Sequence, residues 1–258
     1  MNPARSNTAR HMLNKVPEIT LAFWTVKILA TTVGETAADY LNFNLGIGLT
    51  NTSLLMVALF VVALAFQMRV QRLVTMLYWL VVVLVSVVGT LVTDNLVDHL
   101  GVPLQVLTPL FGIALIATFG IWYARERTLS MHHIDSTARE GWYWLAILLT
   151  FALGTAAGDL AAETLKLGYL ASALTFAAAI ALVAVAHYGF RLGAVAAFWI
   201  AYVLTRPLGA SFGDWLSQSA ANGGLGWGTT ITSLVFLGAI LMLVAGMALV
   251  GRSSTKNA

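Results

Sequence analysis

One pattern of residues recurs four times in this chain and constrains its fold more than any other feature. Each copy begins with a tryptophan, has a leucine five residues later and a glycine ten residues later, and ends with a small residue followed by an aspartate. The four copies are Trp24/Leu29/Gly34/Asp39, Trp79/Leu84/Gly89/Asp94, Trp144/Leu149/Gly154/Asp159 and Trp199/Leu204/Gly209/Asp214. Their glycines are 55, 65 and 55 residues apart. Self-similarity at such a regular period indicates a repeated supersecondary unit.

The composition places these repeats in a membrane. Hydrophobic residues make up 59% of the chain and charged residues only 10%, a balance well outside that of soluble domains. Apolar runs of about 18 residues or more recur, and each is long enough to cross a bilayer core of roughly 30 Å. We therefore predict an all-α polytopic membrane protein with eight transmembrane helices, at about 18–41, 52–69, 73–97, 103–124, 140–165, 168–188, 191–217 and 229–250.

The eight predicted spans form four two-helix repeats within one transmembrane domain that covers residues 1–258. In each repeat an outward helix carries the motif and a plain helix returns. The repeats run at about 18–70, 73–125, 139–189 and 191–251, and residues 126–138 form a cytoplasmic loop that accounts for the longer middle spacing. Because all four repeats run in the same direction, we expect an axis along the membrane normal to relate them.

Lysine and arginine are distributed unevenly between the two sides of this arrangement. Eleven of the 14 lie in the two termini or in the connections on the same side, whereas the opposite connections carry only Lys166. The positive-inside rule then places both termini in the cytoplasm, for a multi-pass protein of a bacterial inner membrane. This topology explains the net charge of +3, so the charge does not indicate a nucleic-acid partner. The predicted partner is the lipid bilayer.

The motif glycines and aspartates lead to different expectations. Gly34, Gly89, Gly154 and Gly209 each precede a small residue by four positions, a spacing that lets helix backbones approach closely, so we predict a helix-packing role for them. The motif aspartates lie near the outer ends of their spans, where four helices about one axis would bring them into one layer. A carboxylate in an apolar segment is costly. It marks either an ion pathway or a structural role, such as capping a neighbouring helix.

Repeats 1 and 4 depart from the common pattern, because only their predicted spans contain cations. Lys27 lies near the middle of the first span, Glu35 follows its motif glycine, and Arg206 precedes Asp214 by eight residues. A lysine in a low dielectric pairs with a carboxylate or loses its proton, and in the paired case a cation competes for that carboxylate. We predict that Lys27, Glu35 and Asp39 form the core of a site, with Arg206 and Asp214 opposite. The full predicted pathway comprises Lys27, Glu35, Asp39, Asp94, Asp159, Arg206 and Asp214, with Glu35 and Asp39 as candidate metal ligands.

The first repeat also carries a resemblance. The segment 15–39, KVPEITLAFWTVKILATTVGETAAD, resembles the start of a bacterial family of uncharacterised membrane-anchored repeat proteins. The most specific part is Lys27 together with Gly34-Glu35-Thr36 before Asp39, and the similarity extends through all four repeats. The resemblance implies a four-repeat membrane protein with no agreed activity, so the function has to be argued from the residues.

Three classes of function fit these observations. The first is a transporter or channel for a small cation, either a divalent metal such as Mn²⁺ or Mg²⁺ or a proton-coupled ion; oxygen ligands in a chain without cysteine suit hard cations. The second is a membrane scaffold or sensor whose buried charges form structural ion pairs. The third is an intramembrane enzyme, ranked last because no nucleophile–base constellation is visible and the P-loop, GxSxG and HExxH motifs are absent. We predict transport, without enzymatic activity, and the sequence requires no cofactor.

Overall fold

The computed structural model describes residues 14–256, which form a bundle of eight long α-helices without β-strands. Thr20 and Ser136 begin α1 and α5 by accepting hydrogen bonds from the amides of Phe23 and Arg139, as helix N-caps do. The helices are α1 Leu21–Asp39, α2 Leu49–Arg69, α3 Thr75–Asp94, α4 Leu104–Glu126, α5 Thr137–Asp159, α6 Tyr169–Phe190, α7 Ala194–Ser217 and α8 Gly228–Lys256.

The four motif helices α1, α3, α5 and α7 form a closed ring. Helix α1 packs against α3, α3 against α5, α5 against α7, and α7 against α1. The first and last repeats are therefore neighbours. The end of the ring that carries the motif tryptophans is called the tryptophan end below, and the end that carries the motif aspartates is called the aspartate end.

Each return helix packs mainly against the motif helix of the following repeat rather than of its own. Helix α2 lies on α3, α4 on α5, α6 on α7, and α8 lies on α1. The predicted repeats pair each outward helix with its own return helix, and the observed packing departs from that pairing. Connection length gives the reason for two of the pairs: only residues 70–74 and 191–193 join α2 to α3 and α6 to α7. Short connections make consecutive helices antiparallel neighbours.

The motif glycines lie where each ring helix touches the next. A β-carbon added to any of them would come within 2.5–2.6 Å of a β-carbon across the contact, so the helices pass too close for a larger residue. The four contacts are Gly34 with Ser86, Gly89 with Phe151, Gly154 with Arg206 and Gly209 with Thr31. Every partner is the seventh residue after its own motif tryptophan. The same contact therefore recurs four times around the ring.

The aspartate ends of the motif helices are alike in three repeats and different in the fourth. A π-helical turn follows directly after Asp39, Asp94 and Asp159, whereas α7 continues as an α-helix past Asp214 to Ser217. Single π-helical turns are frequent at functional sites. The three turns are Tyr40–Asn44, Asn95–His99 and Leu160–Thr164.

Seven of the eight helices are long and apolar enough to cross a membrane, and α1 is the exception. Helix α1 carries Lys27, Glu35 and Asp39 within 19 residues, which lowers its apolar character. It is shielded instead by α3, α7 and α8. The other helices lie close to their predicted spans, and the predicted loop 126–138 contains the short 3₁₀ turn Met131–His133. Arg5 and Arg10, two of the eleven cations on which the predicted topology rests, lie outside the described residues.

Candidate functional site

Each motif helix presents one stripe of residues to the centre of the ring. The stripe consists of the third, seventh, eleventh and fifteenth residues after the motif tryptophan, and a spacing of four keeps them on one helix face. These positions define four axial layers, numbered from the tryptophan end. Layer 1 holds Lys27, Val82, Ile147 and Tyr202; layer 2 Thr31, Ser86, Phe151 and Arg206; layer 3 Glu35, Thr90, Thr155 and Ala210; layer 4 the four motif aspartates. All residues of layers 1 to 3 are buried.

Arg206 occupies the centre of the ring and contacts all three of the other motif helices. Its Nη2 donates to Glu35 Oε2 at 3.0 Å, to Thr155 Oγ1 at 2.8 Å and to Thr90 Oγ1. Its Nη1 donates to the Thr31 carbonyl at 2.7 Å. The side chain of Arg206 is fully buried and that of Glu35 nearly so, which makes this a buried ion pair. The guanidinium thus lies on the axis between layers 2 and 3.

A cluster of carboxylates lies directly beyond Arg206, at the aspartate end. Oxygen atoms of Glu35, Asp159 and Asp214 lie within 4.8 Å of one another. Asp214 is buried, at 7% exposure, and no described residue donates a hydrogen bond to its carboxylate. Asp39 and Asp94 are half-buried in the same layer. Carboxylates this close repel one another unless a cation or protons lie between them. The three oxygens therefore form an arrangement suited to a hard cation.

Lys27 lies deeper than this cluster and has a different environment. Its amine is fully buried and has no hydrogen-bond partner among the described residues. The Nζ atom lies 4.2 Å from the centre of the Tyr202 ring and 4.6 Å from that of Phe151. The expected pairing of Lys27 with a carboxylate is not found in the part of the chain described, and Arg206 is the partner of Glu35. Eight residues, or roughly 12 Å of helix, separate Lys27 from Glu35 along α1.

Aromatic side chains fill the tryptophan end of the ring. Phe23 and Trp79 lie 5.4 Å apart between ring centres, and Tyr78 and Trp144 lie 5.6 Å apart. The hydroxyl groups of Tyr78 and Tyr143 share a hydrogen bond of 2.6 Å. These are the main polar atoms of an otherwise apolar plug.

A second buried ion pair lies at the far side of this aromatic plug. Glu140, one turn before Tyr143 on α5, accepts a hydrogen bond of 2.6 Å from Lys15 and one of 3.3 Å from Gln67. Lys15 also donates to the Met68 carbonyl. The segment that precedes α1 is thereby fixed to α2 and to α5, which faces α1 across the ring.

The structure brings most of the sequence-predicted site residues onto the axis, but among the described residues Glu35 pairs with Arg206 and not with Lys27. Lys27, Arg206 and Glu35 occupy successive layers, and the motif aspartates share the fourth. Sequence reasoning missed the hydroxyl groups that complete these layers, those of Thr90, Thr155 and Tyr202. A signal was present, because Thr90 and Thr155 precede their motif aspartates by four residues, as Glu35 precedes Asp39. The ion pair of Lys15 with Glu140 had no comparable signal.

Comparison with known proteins identifies the repeat. A family model described as Repeat of Unknown Function (DUF347) matches the chain four times, at residues 22–73, 77–128, 142–192 and 197–253. The prediction of four tandem repeats is confirmed by these matches. No curated protein and no solved structure matches the chain.

Proposed function

The chain belongs to the family described as Repeat of Unknown Function, whose description names no activity, and we propose from its own geometry that it is a membrane protein that transports or conducts a small cation. Large apolar side chains cover the outer faces of the return helices, among them Leu54, Ile116, Leu182 and Met242. Apolar surface of this extent supports residence in a bilayer. The distribution of lysine and arginine supports an inner bacterial membrane with both termini in the cytoplasm.

One observation carries the proposal of cation binding. The carboxylate oxygens of Glu35, Asp159 and Asp214 converge within 4.8 Å on the axis of a closed helix ring. Buried Asp214 has no hydrogen-bond donor among the described residues to offset its charge. A hard cation such as Mn²⁺ or Mg²⁺ supplies that compensation, because it prefers oxygen ligands. Asp39 and Asp94 add two more carboxylates to the same layer and draw cations to it.

Arg206 gives this site its mechanism. Its guanidinium lies beneath the carboxylate cluster and already neutralises Glu35. A cation that binds Glu35 through Oε2 therefore competes with Arg206, whose guanidinium also contacts α3 and α5. Binding at the aspartate end is thereby linked to the packing of the ring. Such a link is what a transporter needs if occupancy is to change which side of the membrane the site faces.

The aromatic plug supports a second candidate function. Rings fill the axis at the tryptophan end, and the Arg206 guanidinium donates four hydrogen bonds to α1, α3 and α5, as expected for a static core. A scaffold or cation sensor with structural buried charges would have these features. It would bind a cation at the aspartate end without moving it across the membrane. Binding and transport must therefore be measured separately.

The deciding experiment uses the purified protein in liposomes with a fluorescent chelator inside. Uptake of Mn²⁺, Mg²⁺, Na⁺ and K⁺ is followed, and binding of the same ions is measured by calorimetry in detergent. Replacing Asp159 and Asp214 together with asparagine should lower binding and uptake by about tenfold or more. Asp98→Asn, an exposed carboxylate at the same end, is the matched control and should change neither. Binding without uptake by the wild-type protein favours the sensor, and the absence of both rejects the cation site.

A further inference from the structure

We propose that the ring conducts protons between the carboxylate cluster at the aspartate end and Glu140 at the tryptophan end, by way of Lys27 and the tyrosine hydroxyl groups. The proton is then the ion whose movement is coupled to that of the cation. This inference rests on the proposed function for its coupling role, but proton conduction can be measured without it.

Polar groups occur at every level of the ring between its two ends. Below the carboxylate cluster come Arg206 with Thr90 and Thr155, then Lys27 with Tyr202, then the hydroxyl pair of Tyr78 and Tyr143, then Glu140. From Glu140 to Asp159 along α5 is 19 residues, or roughly 28 Å of helix. That length is close to the hydrocarbon thickness of a bilayer, about 30 Å. The polar groups therefore span the distance across which an ion would have to pass.

Several of these groups lack a protein partner although they are fully buried. The Lys27 amine, the Tyr202 hydroxyl and the Ser86 hydroxyl have no hydrogen-bond partner among the described residues. Buried polar atoms without a partner are costly, and ordered water is the usual means of satisfying them. Water molecules would join the Lys27 amine to the Tyr202 hydroxyl on one side and to the Ser86 hydroxyl on the other. From Ser86 the route passes Arg206 by way of Thr90, one turn further along α3, which donates a hydrogen bond to Glu35.

The aromatic plug determines which ion can use this route. Rings from all four motif helices pack within about 6 Å of one another, as in a protein core. A metal ion would need several ligands replaced at each step, and the plug offers only hydroxyl groups. A proton needs no opening, because each hydroxyl or amine accepts a proton on one side and releases another on its other side. Each group regains its protonation state after one transfer, so no charge remains behind, and its O–H or N–H then rotates back before the next proton passes.

Lys27 is the central relay in this chain because the described residues around it include no carboxylate to hold its proton. Helix α3 presents Val82 to this layer and α5 presents Ile147 and Phe151. From α7 come Tyr202 and, one layer above, Arg206, the nearest charged group. A guanidinium stays protonated in proteins, whereas a lysine amine can release its proton. Arg206 therefore acts as a fixed positive charge and Lys27 as the group that exchanges protons.

The test measures proton flux into liposomes that contain the protein and a pH-sensitive dye. A potassium gradient with valinomycin drives the flux, with and without Mn²⁺ outside. Lys27→Met and the double change Tyr78→Phe with Tyr143→Phe should each lower the flux by at least about tenfold. Tyr123→Phe, an exposed tyrosine on α4, is the matched control and should leave the flux unchanged.

Lys27→Arg separates a proton relay from a structural charge. Arginine keeps a positive charge in layer 1 but does not release its proton, so it should lower the flux as Lys27→Met does. If Lys27→Arg conducts like the wild-type protein, or if the tyrosine double variant does, the inference is overturned. Thermal unfolding and Mn²⁺ binding of each variant establish that the ring and its carboxylate cluster are intact.

The same liposomes distinguish this inference from the proposed function. Proton flux in the wild-type protein without cation uptake would overturn cation transport and leave the proton path. Cation uptake without any proton flux, in either the presence or the absence of Mn²⁺, would overturn the proton path and leave transport.

Discussion

Arg206 of the last motif helix and Glu35 of the first form a buried ion pair of 3.0 Å. The two residues are 171 positions apart in the chain, yet their contact closes the ring. The pair also lies between the carboxylate cluster and Lys27, and Glu35 belongs to both the pair and the cluster. A change at this pair should therefore affect both the stability of the ring and the binding of cations.

Replacing Glu35 with glutamine should destabilise the protein strongly. Arg206 would keep its charge in a fully buried position without its partner, and breaking a buried pair in this way costs about 3–5 kcal/mol. Asp135→Asn, which removes the half-exposed partner of Arg139, should cost less than about 1 kcal/mol, because solvent screens such a pair. Unfolding in detergent measures both. Equal losses for the two variants would contradict a structural role for the Arg206–Glu35 pair.

The motif glycines should not tolerate even a methyl group. Gly89→Ala places a β-carbon 2.5 Å from that of Phe151, and such overpacking costs about 1–3 kcal/mol. Gly120→Ala in α4 is the control, since nothing lies within 4 Å of its added carbon. It should be neutral or stabilise the protein by up to about 1 kcal/mol, because alanine favours helix more than glycine does. If Gly89→Ala unfolds at the same temperature as Gly120→Ala, the close contact is not required.

Manganese should stabilise the folded protein if it binds the carboxylate cluster. A ligand that binds only the folded state adds about 2.7 kcal/mol at a concentration a hundred times its Kd. The melting temperature should therefore rise with Mn²⁺ in the wild-type protein and in Asp98→Asn. The double variant Asp159→Asn with Asp214→Asn should show no rise. A rise that persists in the double variant would place the bound ion elsewhere.

Single cysteines should report the topology, because the chain contains none of its own. Asn44 and Ser219 are exposed at the aspartate end and His133 is exposed in the loop between α4 and α5. In intact cells, a membrane-impermeant thiol reagent should label Asn44→Cys and Ser219→Cys but not His133→Cys. His133→Cys should react only after the cells are opened. The reverse pattern would invert the orientation proposed from the charges.

The period of the motif predicted the positions of the helices well, but it could not predict which helices pack against one another. Spacing between glycines sets the length of a repeat, but it does not say whether α2 lies on α1 or on α3. The short connections 70–74 and 191–193 decide that in favour of the next repeat. The axial layers could be predicted from the sequence, since the residues four and eight positions before each motif aspartate lie on the same helix face as that aspartate.

The partner of Lys27 could not be predicted for a different reason. The sequence places Lys27 and Glu35 on one helix face, so an ion pair between them is the expected arrangement. In the ring, Arg206 reaches the same carboxylate from α7 and bonds to it. Whether Lys27 or Arg206 pairs with Glu35 depends on the depth at which α7 packs against α1. The close contact of Gly209 with Thr31 sets that depth. A contact between two helices so far apart in the chain leaves no trace in local spacing.

The packing of α8 on α1 has a consequence for biosynthesis. Helix α1 leaves the ribosome first, and it is the least apolar of the eight. Its partner α3 follows soon, but α7, which brings Arg206 to Glu35, and α8, which covers its outer face, are made last. During most of translation α1 therefore carries an unneutralised carboxylate and an uncovered face. If the helices lie in lipid as proposed, stable insertion of α1 must await the C-terminal quarter of the chain, so truncation before α7 should leave α1 outside the bilayer rather than produce a smaller bundle.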